Sequence, residues 1–367
     1  MKQRLLCCVV VVVAAVLGCE AEKDSGPLES LSAVEPEPTE EANEEETEAE
    51  TSVKEERIVP ELETEEPDAS LSIPCEENEV EADAGNLEVV APSLDLNLFN
   101  PADNLTAFTK MRGSLNPDDE VVFYWKGNIY AVQDADPFGS PISEYPSPIL
   151  KFEGFNVARF EPTPDGIRMI SREMSVYRNA FGSIIDCWDN GVLNPDEPAL
   201  VPVVHVWNDP VNFTLGGGNA QEMGEQVVWT TEVMLRYPSP LPVDEFPEYS
   251  AGNTYESAEM FNFYSMNDDL NNPELDSVPV TISWSRVGQF LPWMQMGQTP
   301  GKLVYHTFGR KLMGGVDELP EDLKAYVMDK DPKFMEAPAA DTYPNDTSWR
   351  VFQKLVESGD YSPTCEF

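Results

Sequence analysis

Glu120-Val-Val-Phe-Tyr-Trp-Lys-Gly-Asn-Ile-Tyr-Ala-Val132 decides the fold class. It is rich in β-branched and aromatic residues, with the period-two patterning of a strand that buries one face. Lys126-Gly127 in its middle offers a turn, because glycine takes positive φ without steric cost. The segment reads as a β-hairpin, Glu120 to Trp125 returning as Asn128 to Val132. Further strands are expected at Ile149 to Phe160, Gly166 to Tyr177, Val201 to Phe213, Gln226 to Tyr237, Glu259 to Tyr264, Val278 to Val287 and Lys302 to Lys311. Pro-rich or polar loops join them, so antiparallel pairing is the simplest topology. The expectation is an all-β, mainly antiparallel fold: a single closed or nearly closed β-barrel of about nine to ten strands, since closure removes exposed edges. Two C-terminal helices follow, Asp317 to Met328 with Pro320 near its first turn, and Ser348 to Glu357 with Val351, Phe352 and Leu355 on one face.

Charge and aromatics divide the chain. Of 367 residues, 67 are acidic and 23 are Lys or Arg, a net charge of −44. All 17 Phe, 12 Tyr and 7 Trp lie from Phe99 onward, whereas residues 20–92 hold 26 acids against Lys23, Lys54 and Arg57. That stretch cannot build a core; it reads as an extended acidic tether, with a span of roughly 50 Å if flexible. The folded domain is expected over residues 93–367. Neither part offers the basic footprint that nucleic-acid binding requires, so no nucleic-acid partner is expected.

The first residues read as an address. Lys2 and Arg4 precede an apolar run from Leu5 to Leu17, then Gly18 and Cys19, the layout of an export signal too short for a comfortable membrane span. Val16-Leu17-Gly18-Cys19 resembles the bacterial lipoprotein signal, which implies removal of residues 1–18, lipidation of Cys19 and a tether over residues 19–92. The expected place is the bacterial cell envelope, at the outer membrane or cell surface, with the membrane as partner through the lipid anchor. An ordinary secretory signal cut near Gly18 is the alternative. The mature chain would then keep Cys75, Cys187 and Cys365 besides Cys19. Export permits one bridge within the chain, and the sequence does not choose among the pairings.

A family resemblance rests on Met111-Arg-Gly-Ser-Leu-Asn116, the hairpin after it, Trp207-Asn-Asp-Pro-Val211, Tyr237-Pro-Ser-Pro-Leu-Pro242, Trp284-Ser-Arg286, Leu291-Pro-Trp-Met-Gln-Met296, Gly301 to Leu312, Glu318-Leu-Pro320 and Ser348-Trp349. With these motifs, nearly all of residues 105–355 resembles the bacterial domain-of-unknown-function family numbered 1838. The resemblance implies no activity. The chain departs from the family pattern in a longer, less regular stretch from Asp186 to Val201 and in the additional acidic tether.

Several constellations could carry chemistry. The two histidines, His205 and His306, both fall in expected strands. Alternation puts His205, Trp207 and Asp209 on one face, where His205 and Asp209 could act as an acid/base pair; the plainer reading is a histidine hydrogen-bonded in the sheet. Arg286 shares a face with Ile282 and Trp284, so if that face points inward its charge needs a carboxylate or an anionic ligand. Glu173, on an otherwise largely apolar row with Ile167, Met169 and Tyr177, is the expected partner. Trp207, Trp284 and Trp293, the last in a loop, could line a cavity for a small apolar or aromatic ligand together with Arg286, Glu173 and His306. No zinc, EF-hand, phosphate-loop or nucleophile-elbow motif is present in the sequence, so neither metal nor cofactor is expected. The leading expectation is a binding module with a barrel cavity. An enzyme built on His205 and Asp209, or a structural or adhesive surface lipoprotein, are the other readings.

Overall fold

Two antiparallel meanders, joined through their first and last strands, make up the main sheet. The computed structural model describes residues 93–133, 148–163, 166–340 and 344–365; the signal segment, Cys19, the acidic tether and Cys75 lie outside them. In chain order the elements are α1 (Pro101–Arg112), β1 (Val121–Val132), β2 (Leu150–Thr163), β3 (Gly166–Arg178), β4 (Cys187–Asp189), β5 (Leu200–Pro202), β6 (Val206–Asn208), β7 (Phe213–Leu215), β8 (Asn219–Met223), β9 (Gln226–Pro238), β10 (Thr254–Met266), α2 (Asn267–Asn271), β11 (Thr281–Gly288), β12 (Lys302–Leu312), α3 (Glu321–Lys330) and α4 (Ser348–Ser358). The sheet runs β6-β3-β2-β1-β12-β11-β10-β9-β8, with β7 also on β3, and β4 and β5 form a separate pair.

The expected hairpin is a single strand. Residues 122–132 pair without interruption with β12, Gly127 standing opposite Thr307. Gly127 serves the sheet by its bareness: a Cβ there would lie 2.1 Å from the His306 carbonyl oxygen, and one at Gly309 would lie 2.3 Å from that of Tyr124. Such glycines let long strands bend where a neighbour's backbone comes close.

The bend is large. Phe123 of β1 and Phe263 of β10 are three strands apart, about 14 Å on a flat sheet, yet their ring centroids lie 6.2 Å apart. Phe152 of β2 and Trp284 of β11 are likewise three strands apart and 6.0 Å between centroids. The sheet therefore curls onto itself, but its hydrogen-bonded path does not return to its start. The closed barrel expected from the sequence is corrected to an open sheet with two free edges. Two devices bridge them. Gly216-Gly-Gly218 carries the chain from β7 on one edge to β8 on the other, and Asn104 of α1 accepts from the Gly218 N–H at 3.0 Å and donates to its carbonyl at 3.1 Å. At the opposite end α4 reaches both edges: Ser348 donates to Asn208 of β6 at 3.2 Å, and Thr347 is hydrogen-bonded to Tyr237 of β9.

Alternation along the strands builds three apolar clusters. On the concave face, Phe123, Phe160, Met169, Trp229 and Phe263 pack with Phe108 and Met111 of α1 at one end. Ile129, Phe152, Tyr177, Tyr255, Trp293 and Tyr305 pack with Trp349 and Phe352 of α4 at the other. On the convex face Val122, Phe155, Val157, Met174 and Val176 are covered by Leu323 and Val327 of α3 and by Phe334. Burying each large side chain of this kind stabilises by roughly 1.5–3 kcal/mol. Of the helices, α3 and α4 answer the sequence expectation. The start of α1, capped by Asn100 accepting from the N–H groups of Ala102 and Asp103, was not anticipated. A disulfide joins Cys187 to Cys365 and ties the C-terminal segment beside the loop of Trp293, where Gln295 donates to the Tyr361 hydroxyl and the Pro363 carbonyl.

Candidate functional site

Between the two concave clusters lies a belt of different character. Trp125 and Gly127 of β1, Glu173 of β3, Thr231 and Val233 of β9, Glu259 and Phe261 of β10 and Trp284 of β11 all point to the concave side by alternation, yet each keeps some solvent-accessible surface. The rings above and below them are buried. The belt is thus the floor of a recess within the curl, and charged side chains stand on it.

Arg286 anchors one wall. Nε donates to Ser257 Oγ at 3.0 Å and lies 3.6 Å from Glu259 Oε1, while Nη2 donates to the Tyr255 hydroxyl at 2.8 Å. Its guanidinium carbon sits 5.1 Å from the centre of the Tyr305 ring and 5.5 Å from that of Trp349, distances that favour cation–π attraction. Glu259, 20% exposed, accepts from the Trp284 indole at 3.3 Å. Burial pushes its carboxyl above the usual range, and the Arg286 charge opposes that shift.

Glu173 stands on the facing wall, opposite Asn208 in register and hydrogen-bonded to it. Burial first, and the Glu259 charge second, raise it to about 7; Asn208, Arg286 and Arg112 pull the other way. Arg112 ends α1 with its guanidinium 4.7 Å from the Phe123 ring centre. Burial draws it down to about 10, so it remains a cation at neutral pH. Two cations and two carboxyl groups therefore share one interior, as buried charges must.

The polar accounting at this floor is incomplete. Arg112 Nη1, Trp125 Nε1, Asn156 Oδ1 and Ser175 Oγ are all buried without a partner in the protein. Each such atom costs about 1–3 kcal/mol unless something else satisfies it. A recess with aromatic walls and unused donors and acceptors is suited to hold a small molecule.

The sequence-derived site residues divide sharply. Arg286, Glu173 and Trp284 converge here. His306 does not: it is exposed on the convex face, edge-on to Phe308. Trp207 also faces outward, 4.9 Å from the Phe334 ring centre, because Asn208 takes the inward position beside it. Trp293 is buried between Tyr177 and Trp188; its loop is apolar because the C-terminal segment packs over it. His205 precedes β6 instead of lying within a strand, and its Nδ1 accepts from the Tyr177 N–H at 3.2 Å. Asp209 instead pairs with Arg172 at 3.0 Å and Lys333 at 3.1 Å, beside an open depression of about 350 Å³ that Trp207 and Lys354 also line. The acid/base pair of His205 and Asp209 is not assembled: His205 and Trp207 both meet Tyr326, but residues four apart on extended chain stand about 13 Å apart, and Asp209 is held by Arg172 and Lys333. Glu259, Arg112 and Asn156 were missed. Glu259 was readable by the rule that found Glu173, being a lone charge on the row of Phe261 and Phe263.

The family model described as "Protein of unknown function (DUF1838)" matches residues 118–356. The chain belongs to this family. The matched DUF1838 region holds Trp125, Glu173, Glu259, Trp284 and Arg286, while Arg112 precedes it. No curated protein matches the chain. Among the described residues of this DUF1838 protein, no group of three or more His, Cys, Asp or Glu side chains could hold a metal ion, and no helix is long and apolar enough to cross a membrane.

Proposed function

We propose that the protein is a lipid-anchored component of the bacterial cell envelope, at the outer membrane or cell surface, whose curled sheet binds a small, largely apolar or aromatic molecule with Arg286 and Glu173 as polar anchors. The observation that carries this reading is the belt of Trp125, Glu173, Glu259, Phe261 and Trp284, which keeps a minor part of its surface accessible between two buried clusters, together with the unpartnered polar atoms at its floor. The Cys187–Cys365 disulfide supports export, since such bonds persist in oxidising compartments. The Leu5 to Cys19 pattern supports the anchor.

The test is native mass spectrometry of the full chain isolated from its own envelope, compared with the mass after denaturing extraction. A small-molecule adduct that disappears on denaturation, and that is diminished in Arg286→Met, is the expected result. A clean mass that stays unchanged after incubation with a solvent extract of the same envelope overturns the binding role. For the anchor, partition into a detergent phase, lost in Cys19→Ser, is expected; an aqueous wild-type protein overturns it.

A further inference from the structure

The unpartnered atoms of the recess form a pattern. Trp125, Gly154 and Ser175 stand side by side across β1, β2 and β3, and Phe123, Asn156, Glu173 and Asn208 form the next row, from β1 to β6. Arg112 lies over Phe123 in that row. From β1 to β3 these positions span about 10 Å on a flat sheet, and the curl that brings Phe123 to 6.2 Å from Phe263 narrows the space they face. Two of the four unpartnered atoms, Arg112 Nη1 and Trp125 Nε1, are obligatory donors, and buried donors are rarely left unpaired.

Charge sharpens the pattern. Arg286 is engaged by Glu259, Ser257 and Tyr255. The carboxyl group acting on Arg112 is Glu173; Lys311 of β12, already engaged by the Lys110 and Gly113 carbonyls, is drawn down by burial first and by the Arg112 charge second. Resting on the reading of the recess as a ligand site, we propose that its ligands carry a carboxylate on an aromatic or short aliphatic body, the carboxylate accepting from Arg112 Nη1 and Trp125 Nε1 beside Glu173. An ordinary glutamate would repel such a ligand. Here the groups facing Glu173 are Arg112 from α1, Asn208 from β6, Glu259 from β10 and Arg286 from β11, and their balance with burial leaves it near 7. At mildly acidic pH Glu173 is a donor and Arg112 has lost its internal counter-ion; at alkaline pH Glu173 is itself that counter-ion and the site refuses a second carboxylate.

The full chain is titrated with benzoate, benzyl alcohol and benzylamine at pH 6 and pH 8, following tryptophan fluorescence. Benzoate is expected to bind, and to bind about tenfold more weakly at pH 8, as a group near 7 passes from mostly protonated to mostly ionised. Glu173→Gln keeps the neutral, donating form and should bind benzoate equally at both pH values. Arg112→Met should lose benzoate; if that variant fails to fold, the flattened profile of Glu173→Gln still decides. Benzyl alcohol or benzylamine binding as well as benzoate, or a benzoate affinity indifferent to pH, overturns the acid preference and leaves the recess a ligand site. If no probe binds, the native mass spectrum separates the readings: a co-purified acid supports both, an adduct without a carboxyl group overturns this one alone, and a clean spectrum overturns both.

Discussion

Arg286 and Tyr255, on adjacent strands of one curled sheet, are joined by a 2.8 Å hydrogen bond, and Trp349 of α4 packs against both, edge-on to the tyrosine ring and 5.5 Å from the guanidinium. The bond thus links the recess to the helix that spans the free edges. Replacing Arg286 with Met would leave Glu259 without its cation, and breaking a buried pair from one side costs about 3–5 kcal/mol. Urea unfolding should show a loss of that size, substantially recovered in Arg286→Met/Glu259→Gln. A loss under about 1 kcal/mol would show that the arginine does not hold the interior together.

His205 gives the protein a built-in acid sensitivity. Burial, opposed by Asp186 and reinforced by Arg178, holds its imidazole down to about 4. A group depressed on folding contributes stability above its unfolded value, near 6.5, and that contribution is lost as pH falls towards 4. The loss is on the order of 3 kcal/mol over that window. His205→Gln should unfold in urea with a flatter dependence between pH 6.5 and 4 than the wild type; parallel curves would refute the assignment.

Gly127 of the long strand β1 should be irreplaceable where Gly216 of the triglycine strip is not. Gly127→Ala sets a methyl group 2.1 Å from a backbone oxygen, whereas at Gly216 nothing lies within 4 Å of the added carbon. Gly127→Ala is expected to give insoluble or strongly destabilised protein, and Gly216→Ala to melt within a few degrees of the wild type. Comparable melting temperatures for the two would contradict the strand pairing.

Reduction should act on the C-terminal segment. Cys187 and Cys365 are 178 residues apart in sequence, and the loss of such a bond typically costs about 2–5 kcal/mol. Under dithiothreitol the chain after Ser358 should become protease-sensitive and Trp293 fluorescence should shift to the red, with the curled sheet still folded. Unchanged proteolysis would mean that Tyr361 and Gln295 hold the segment unaided.

Most strands were legible because alternation is a local property of a half-buried sheet. Gly127 was misread because a turn and a tight strand bend both ask for a missing side chain; the deciding partner, His306, is far away in sequence. Helix α1 escaped because its buried face is partly polar. Asn104 and Lys110 are satisfied by distant backbone, Lys110 donating to the carbonyls of Leu270 and Asn272 at 2.7 Å. In the site, Glu173 and Arg286 stood out as lone charges on apolar rows. Arg112 could not, since its position over Phe123 depends on where a helix docks. Whether the sheet closes was equally out of local reach, being decided by the pairing of edges that no single segment contains.

The triglycine strip between β7 and β8 sets how the molecule can deform. A tube sealed by a hydrogen-bonded seam must break its wall to widen. Here the wall is a scroll whose margins are laced by three residues without side chains at one end and by a helix at the other. If the recess takes a ligand as proposed, such a scroll could change its curvature around it without giving up a single bond between its strands.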